Sequence, residues 1–251
     1  ATRDAKIKVD LHKMAEGRQD ATIMVAYLAQ KERTDEALLA ATAKADQLLN
    51  EIERMVAMNC TAVDIAYTPA DLYRLKREGK KAIMLGIENG YAIGKDLTNV
   101  ERFRNRGVVY MTLCHNGNND ICGSARYNDE YIGVTPFGEQ VIREMNRIGM
   151  MVDLSHAGEQ TFYDTLDISS KPVVCSHSSS RALCDHPRNL TDEQLKAIAR
   201  KGGVVQVCLY SGFLRTDAPA TICDAIEHLH HMVNICLLNT TDAADEARSE
   251  D

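Results

Sequence analysis

Six short apolar runs recur along this chain, at residues 21–28, 82–87, 108–114, 150–154, 172–176 and 204–209, with helix-like stretches between most of them. Near-continuous apolar runs suit strands buried on both faces, and helices between such strands are the crossovers of a parallel sheet. Because those crossovers are right-handed, a closed barrel and a doubly wound sheet are the two architectures left. The helical patterns are explicit. Residues 34–59 open on Thr34-Asp35-Glu36 and carry Leu38, Leu39, Leu48, Leu49, Ile52 and Met55 at helical spacing. Residues 135–149 open on Thr135-Pro136 and stop at Gly149, residues 191–203 open on Thr191-Asp192-Glu193 and stop at Gly202-Gly203, and residues 221–234 form a fourth pattern.

The chain's 251 residues, 45% of them hydrophobic, are enough for one large core. A (β/α)8 barrel takes about 250 residues, so residues 1–251 are expected to form a single barrel domain. A formal charge of −7 with scattered Lys and Arg argues against nucleic acid as a partner. No apolar run approaches the ~18 residues of a membrane span. Neither G-x-G-x-x-G nor G-x-x-x-x-G-K-[ST] occurs, so a nucleotide-binding sheet has no support. The eight cysteines form no C-x-x-C pair, and Cys114, Cys175 and Cys208 sit inside apolar runs, where a thiol acts as a small hydrophobe.

Several polar residues stand where apolar runs stop: Glu88 after Met84-Leu85-Gly86-Ile87, His115 after Leu113-Cys114, His156 after Val152-Asp153-Leu154-Ser155, and His177 after Val174-Cys175-Ser176. Any one of them alone is most simply a satisfied loop residue. Together they occupy the carboxyl ends of successive strands, where barrel enzymes place their chemistry, and two His with one Glu can hold zinc. That shared placement decides for the barrel. His228 and His231 share a helix face at i,i+3 spacing but lack a matching acid, and are expected on a solvated or partner-facing surface. Gly90 and Gly117 are expected to serve positive φ or a close approach in strand-end loops.

The strings Gly86-Ile87-Glu88-Asn89-Gly90, Thr112-Leu113-Cys114-His115-Asn116, Asp153-Leu154-Ser155-His156, Ser176-His177-Ser178-Ser179 and His186-Pro187-Arg188-Asn189-Leu190 resemble, in order and spacing, the motifs of the membrane dipeptidase (renal dipeptidase-like) zinc peptidases, which are amidohydrolase-type metal barrels. The similarity runs from about Val9 to His231. It implies a (β/α)8 barrel that hydrolyses dipeptides, often with a D-residue at the C-terminal position, through a water bridging two zinc ions. Under it, Glu88 corresponds to the bridging carboxylate, and His156 and His177 to ligands of the second zinc. His115 corresponds to the catalytic residue that touches substrate and tetrahedral intermediate, and Arg188 to the one that pairs with the substrate carboxylate. A homodimer is implied as well.

The chain also departs from that pattern. The family holds its first zinc with a His-x-Asp pair on the first strand, and none precedes Val9. Asp10-Leu11-His12 has the reverse order and is read as structural. The Gly-rich strand end with a catalytic Asp is not found after residues 221–234, and neither Asp242 nor Asp245, in an acidic, weakly structured-looking tail, has that context. The expectation is a barrel truncated or divergent at both ends, six of its eight strands recognisable, open at residues 21–28 and 204–209, and binding one zinc at most. Two alternatives stay open: a related amide or lactam hydrolase, and a catalytically silent binding or assembly protein. Reduced-looking cysteines favour the cytoplasm, with periplasmic or extracellular placement also open.

Overall fold

The computed structural model describes residues 6–127, 130 and 132–248. Its first helix, α1 (Leu11–Glu16), begins at Asp10, whose carboxylate accepts the Lys13 backbone N–H at 2.9 Å, so Asp10-Leu11-His12 is a helix cap. Strand β1 (Ala21–Tyr27) and helix α2 (Asp35–Met58) follow, with Thr34 capping α2 as its sequence requires. Next come β2 (Val63–Ile65) and α3 (Pro69–Arg77), neither evident from hydrophobic period. Strand β2 has three residues, and Leu75 is the buried residue of α3, which owes its start to a reciprocal cap between Thr68 and Asp71.

The rest of the chain repeats strand and helix: β3 (Lys81–Glu88), a 3₁₀ turn (Gly90–Ile93), α4 (Thr98–Asn105), β4 (Val108–Thr112), α5 (Pro136–Ile148), β5 (Met151–Asp153), α6 (Glu159–Ile168), β6 (Val174–Cys175), α7 (Asp192–Arg200), β7 (Val204–Val205), α8 (Ser211–Leu214) and α9 (Ile222–Arg248). The tail read as weakly structured has helical backbone through Arg248. Residues 235–248 contain no Gly or Pro to stop a helix.

All strand pairs are parallel, in the order β1-β3-β4-β5-β6-β7, with β2 paired to the start of β3. The result is a curled half-barrel of six main strands with helices packed on it. Among the described residues β1 pairs only with β3, and β7 only with β6, so the open edges fall where the sequence placed them. The runs at 172–176 and 204–209 shorten to two-residue strands because the following backbone turns toward the site: Ser176 N–H donates to Asp153 and Ser178 N–H to Gln206 O.

Phe103, Leu85, Ile87, Met111, Val152 and Val173 are among the fully buried side chains where helices meet the sheet. Close packing extends to the loops above the strands. A Cβ on Gly90 would lie 2.8 Å from Leu113 O, and one on Gly138, in the first turn of α5, 2.0 Å from Ile121 O. Gly117 has φ +118°, open to glycine and little else. His228 corrects the surface reading. It is 1% exposed, accepting Ser180 N–H at Nδ1 (3.0 Å) and donating from Nε2 to Leu214 O (3.0 Å). It thereby ties α9 to the loop after β6 and to α8.

Candidate metal centre

Strand register sets the floor of the site. Glu88 ends β3 between Tyr27 of β1 and Thr112 of β4, so its carboxylate stands at the carboxyl edge of the sheet. The chain leaving β4, β5 and β6 then brings a histidine to it each time. His115 Nε2 lies 3.7 Å, His156 Nε2 3.4 Å and His177 Nε2 3.5 Å from the same atom, Glu88 Oε1. His156 Nε2 and His177 Nε2 are 2.9 Å apart. Donor atoms of Glu88, His115 and His156 all fall within 4.8 Å of one another, forming a candidate metal-binding group, and His177 stands closer to the shared carboxylate oxygen than His115 does.

These separations can be set against a bound ion. With zinc bonds of about 2.0–2.1 Å, two donors of a tetrahedron lie about 3.3 Å apart. The contacts of Glu88 with His156 and His177, at 3.4 and 3.5 Å, match that edge, and the 2.9 Å between the two rings is a few tenths short of it. The outer nitrogens strengthen the case. His156 Nδ1 lies 3.2 Å from Asn116 Oδ1, an oxygen that only accepts, and His177 Nδ1 lies 2.8 Å from Ser176 Oγ. With protons on both Nδ1 atoms, two Nε2 lone pairs face each other and a carboxylate oxygen, an arrangement that calls for a cation.

Electrostatics keep the donors neutral. Burial pushes the imidazoles of His115, His156 and His177 below the ordinary histidine range, and the Arg188 guanidinium adds to the effect on each. Neutral imidazole is the metal-binding form. His156 takes its place at a backbone cost, because its φ of 73° is left-handed, where non-glycine residues are rare. The ring of Tyr27 meets His115 edge-on at 4.8 Å.

Arg188, the fifth residue singled out in the sequence, is 3% exposed. Its Nη2 donates to His177 O at a long 3.4 Å, its Nε has no partner, and the guanidinium lies 5.4 Å from the centre of the Phe213 ring. No carboxylate pairs with it among the described residues, and burial pushes its pKa down. His186 shapes the turn that delivers it: its Nδ1 accepts Arg188 N–H at 3.1 Å.

The sequence reading missed Asn116, Ser176 and Asp153, which hold the histidines from behind. All three lie inside the motif strings, yet a polar residue within or beside a strand looks the same whether it faces water or supports a ligand. Of the two tyrosines in the loop after His115, Tyr127 is exposed, and Tyr131 lies outside the described residues.

Donors gathered at the carboxyl ends of parallel strands, around one carboxylate and beside a buried cation, define the metal-dependent barrel hydrolases as a class. Within it, the chain belongs to the membrane dipeptidase family (peptidase family M19), whose profile matches residues 1–236. Dipeptidase tcpJ of Claviceps purpurea is 31% identical over 239 residues, covering 93% of this chain and 56% of that protein. The crystal structure of the probable dipeptidase PvdM from Pseudomonas aeruginosa aligns with a TM-score of 0.79 at 30% identity, over 85% of this chain and 56% of that one. A Rhodobacter sphaeroides metallopeptidase, liganded with a phosphinate mimic of L-Ala-D-Ala, shares the fold with a TM-score of 0.83 at 23% identity, over 93% of this chain and 75% of that one. The chain thus spans about half the length of the curated relatives it matches. Among the described residues no helix is long and apolar enough to cross a membrane.

Proposed function

We propose that Glu88, His156 and His177 hold a zinc ion and that the site above them receives a dipeptide for hydrolysis of its peptide bond. Arg188 carries the dipeptide reading: a guanidinium buried beside the donor cluster that pairs with no carboxylate among the described residues. A free C-terminal carboxylate would complete it with two parallel charge-assisted hydrogen bonds. Seated there, a dipeptide has its scissile carbonyl one residue away, toward the histidines. Zinc in this donor set would polarise that carbonyl and acidify an attacking water.

The chain's own residues do the rest. Glu88 offers one oxygen to the ion. His115 faces the same space with a neutral ring, suited to donate a hydrogen bond to the carbonyl oxygen as negative charge builds on it. Arg188 fixes the register of the substrate, which turns an encounter into a held geometry. One zinc per chain is the proposed stoichiometry, since one such donor group occurs among the described residues.

Two measurements test this. Elemental analysis after dialysis should find about one tightly bound zinc per chain, lost in His177→Ala. Calorimetry should find L-Ala-D-Ala bound and its C-terminal amide bound at least ~30-fold more weakly, the loss expected when a buried charge pair is broken. Equal binding of acid and amide would remove the carboxylate seat, and absence of zinc would remove the metal.

A further inference from the structure

Behind the donor set lies a carboxylate that touches neither the proposed ion nor the substrate. Asp153, the last residue of β5, is fully buried. Its Oδ1 accepts the backbone N–H groups of Ser155 at 3.0 Å and Ser176 at 2.9 Å. Its Oδ2 accepts the hydroxyls of Thr112 and Ser176, each at 2.6 Å. Ser176 Oγ is also the atom 2.8 Å from His177 Nδ1, and His177 N–H donates to Ser155 Oγ at 2.9 Å.

The direction of the Ser176–His177 hydrogen bond decides whether His177 can hold a cation. A serine hydroxyl has one proton and can either donate or accept. If it donated to Nδ1, the ring proton would sit on Nε2, the atom that faces Glu88 and His156. Asp153 Oδ2 takes the serine proton instead, in a short contact of the charge-assisted kind. Toward His177 the serine can then only accept, so Nδ1 carries the proton and Nε2 the lone pair. His156 reaches the same state without a carboxylate, because Asn116 Oδ1 cannot donate.

We propose that Asp153 is a positioning residue that, acting through Ser176, selects the tautomer of His177 whose Nε2 is free to bind a metal ion. Its value for catalysis rests on the zinc reading above, whereas the tautomer itself can be read in the metal-free protein.

Long-range ¹H–¹⁵N spectra of the histidine rings in metal-free protein give the first readout, with the His177 signals identified by their loss in His177→Ala. In the wild type His177 should be protonated at Nδ1. In Ser176→Ala and Asp153→Asn it should shift toward Nε2–H or an average of the two forms, and Ser176→Thr, which keeps the hydroxyl, should restore the wild-type pattern. The second readout is zinc affinity, from zinc chloride in competition with a chelating dye. It should fall about 10–100-fold in Ser176→Ala and Asp153→Asn, as for other residues that hold a ligand from behind, and recover in Ser176→Thr. Should Asp153→Asn fail to fold by far-UV circular dichroism, Ser176→Ala decides, because it cuts the link between Asp153 and the ring.

Protonation of wild-type His177 at Nε2 would overturn the proposal. So would a folded Ser176→Ala protein that keeps both the wild-type tautomer and the wild-type zinc affinity. The expected tautomers in a wild type that binds no zinc would uphold the selection by Asp153 while removing the zinc reading.

Discussion

Replacing Arg188 with methionine should make the metal-free protein more stable and less able to hold a dipeptide. The guanidinium is 3% exposed and has no counter-ion among the described residues, so its charge is dehydrated with little return. The effective penalty for one such ion is several kcal/mol, and replacing buried ionic groups with apolar ones of similar volume has been stabilising by about 1–4 kcal/mol. Against that stand the hydrogen bond to His177 O, worth well under about 1 kcal/mol at 3.4 Å, and a cation–π contact at 5.4 Å, worth about 1 kcal/mol. The balance is a gain of about 1–2 kcal/mol for Arg188→Met, whose side chain has similar length. Urea denaturation at pH 7.5 checks it: with a slope near 3 kcal/mol per molar, the midpoint should rise by about 0.5 M with the slope unchanged. In the same variant dipeptide affinity should fall by about 2–5 kcal/mol. A lower midpoint would mean that the fold already compensates the charge and that the cation does not await an anion.

Gly138→Ala should destabilise by about 2 kcal/mol or more, although Gly to Ala inside a helix ordinarily gains about 1, because the new methyl would meet Ile121 O at 2.0 Å. A neutral or raised melting temperature would count against that packing. Burial, together with Arg126, Arg188 and Arg181, holds His186 below the ordinary histidine value. The unfolded chain therefore takes up this proton first as pH falls, so the contribution of His186 is complete above about pH 6.5 and lost below it. An NMR titration should place its midpoint below 6.5, and a midpoint at or above that value would sink the argument. The edges of β1 and β7, unpaired among the described residues, should let a second copy add on, in line with the homodimer the family resemblance implies. Size-exclusion chromatography giving one elution volume from micromolar to hundreds of micromolar, at the monomer mass, would contradict it.

The six main strands were legible because each lies in a mostly apolar run, and the ends of those runs drew attention to Glu88, His115, His156 and His177 without any contact information. What stayed hidden lacked a periodic signal. Strand β2 is three residues long, α3 buries Leu75, and α6 turns Thr161 and Thr165 inward with Phe162 and Leu166, which blurs its apolar stripe. His228 misled for a related reason: its i,i+3 partner His231 reaches Asp192 at 2.7 Å on another helix, while His228 itself is buried by contacts from residues far away in sequence. Asp153 and Ser176 show the limit most clearly. Their importance comes from assembly: the β4–β5 register sets Thr112 beside Asp153, and the backbone leaving β6 brings Ser176 onto the same carboxylate, neither of which a single run of sequence displays.

The left-handed backbone at His156 has a consequence for how this sequence can drift. A non-glycine residue there costs about 1–2 kcal/mol, which glycine would recover and asparagine in part. Thermodynamics alone thus pulls position 156 away from histidine in any descendant that no longer needs an imidazole there. Under the proposed zinc reading, a histidine kept against that pull is a molecular trace of selection for ligand binding. Sequencing the survivors of a library randomised at this one codon, selected for folding alone, would show how quickly the trace is erased.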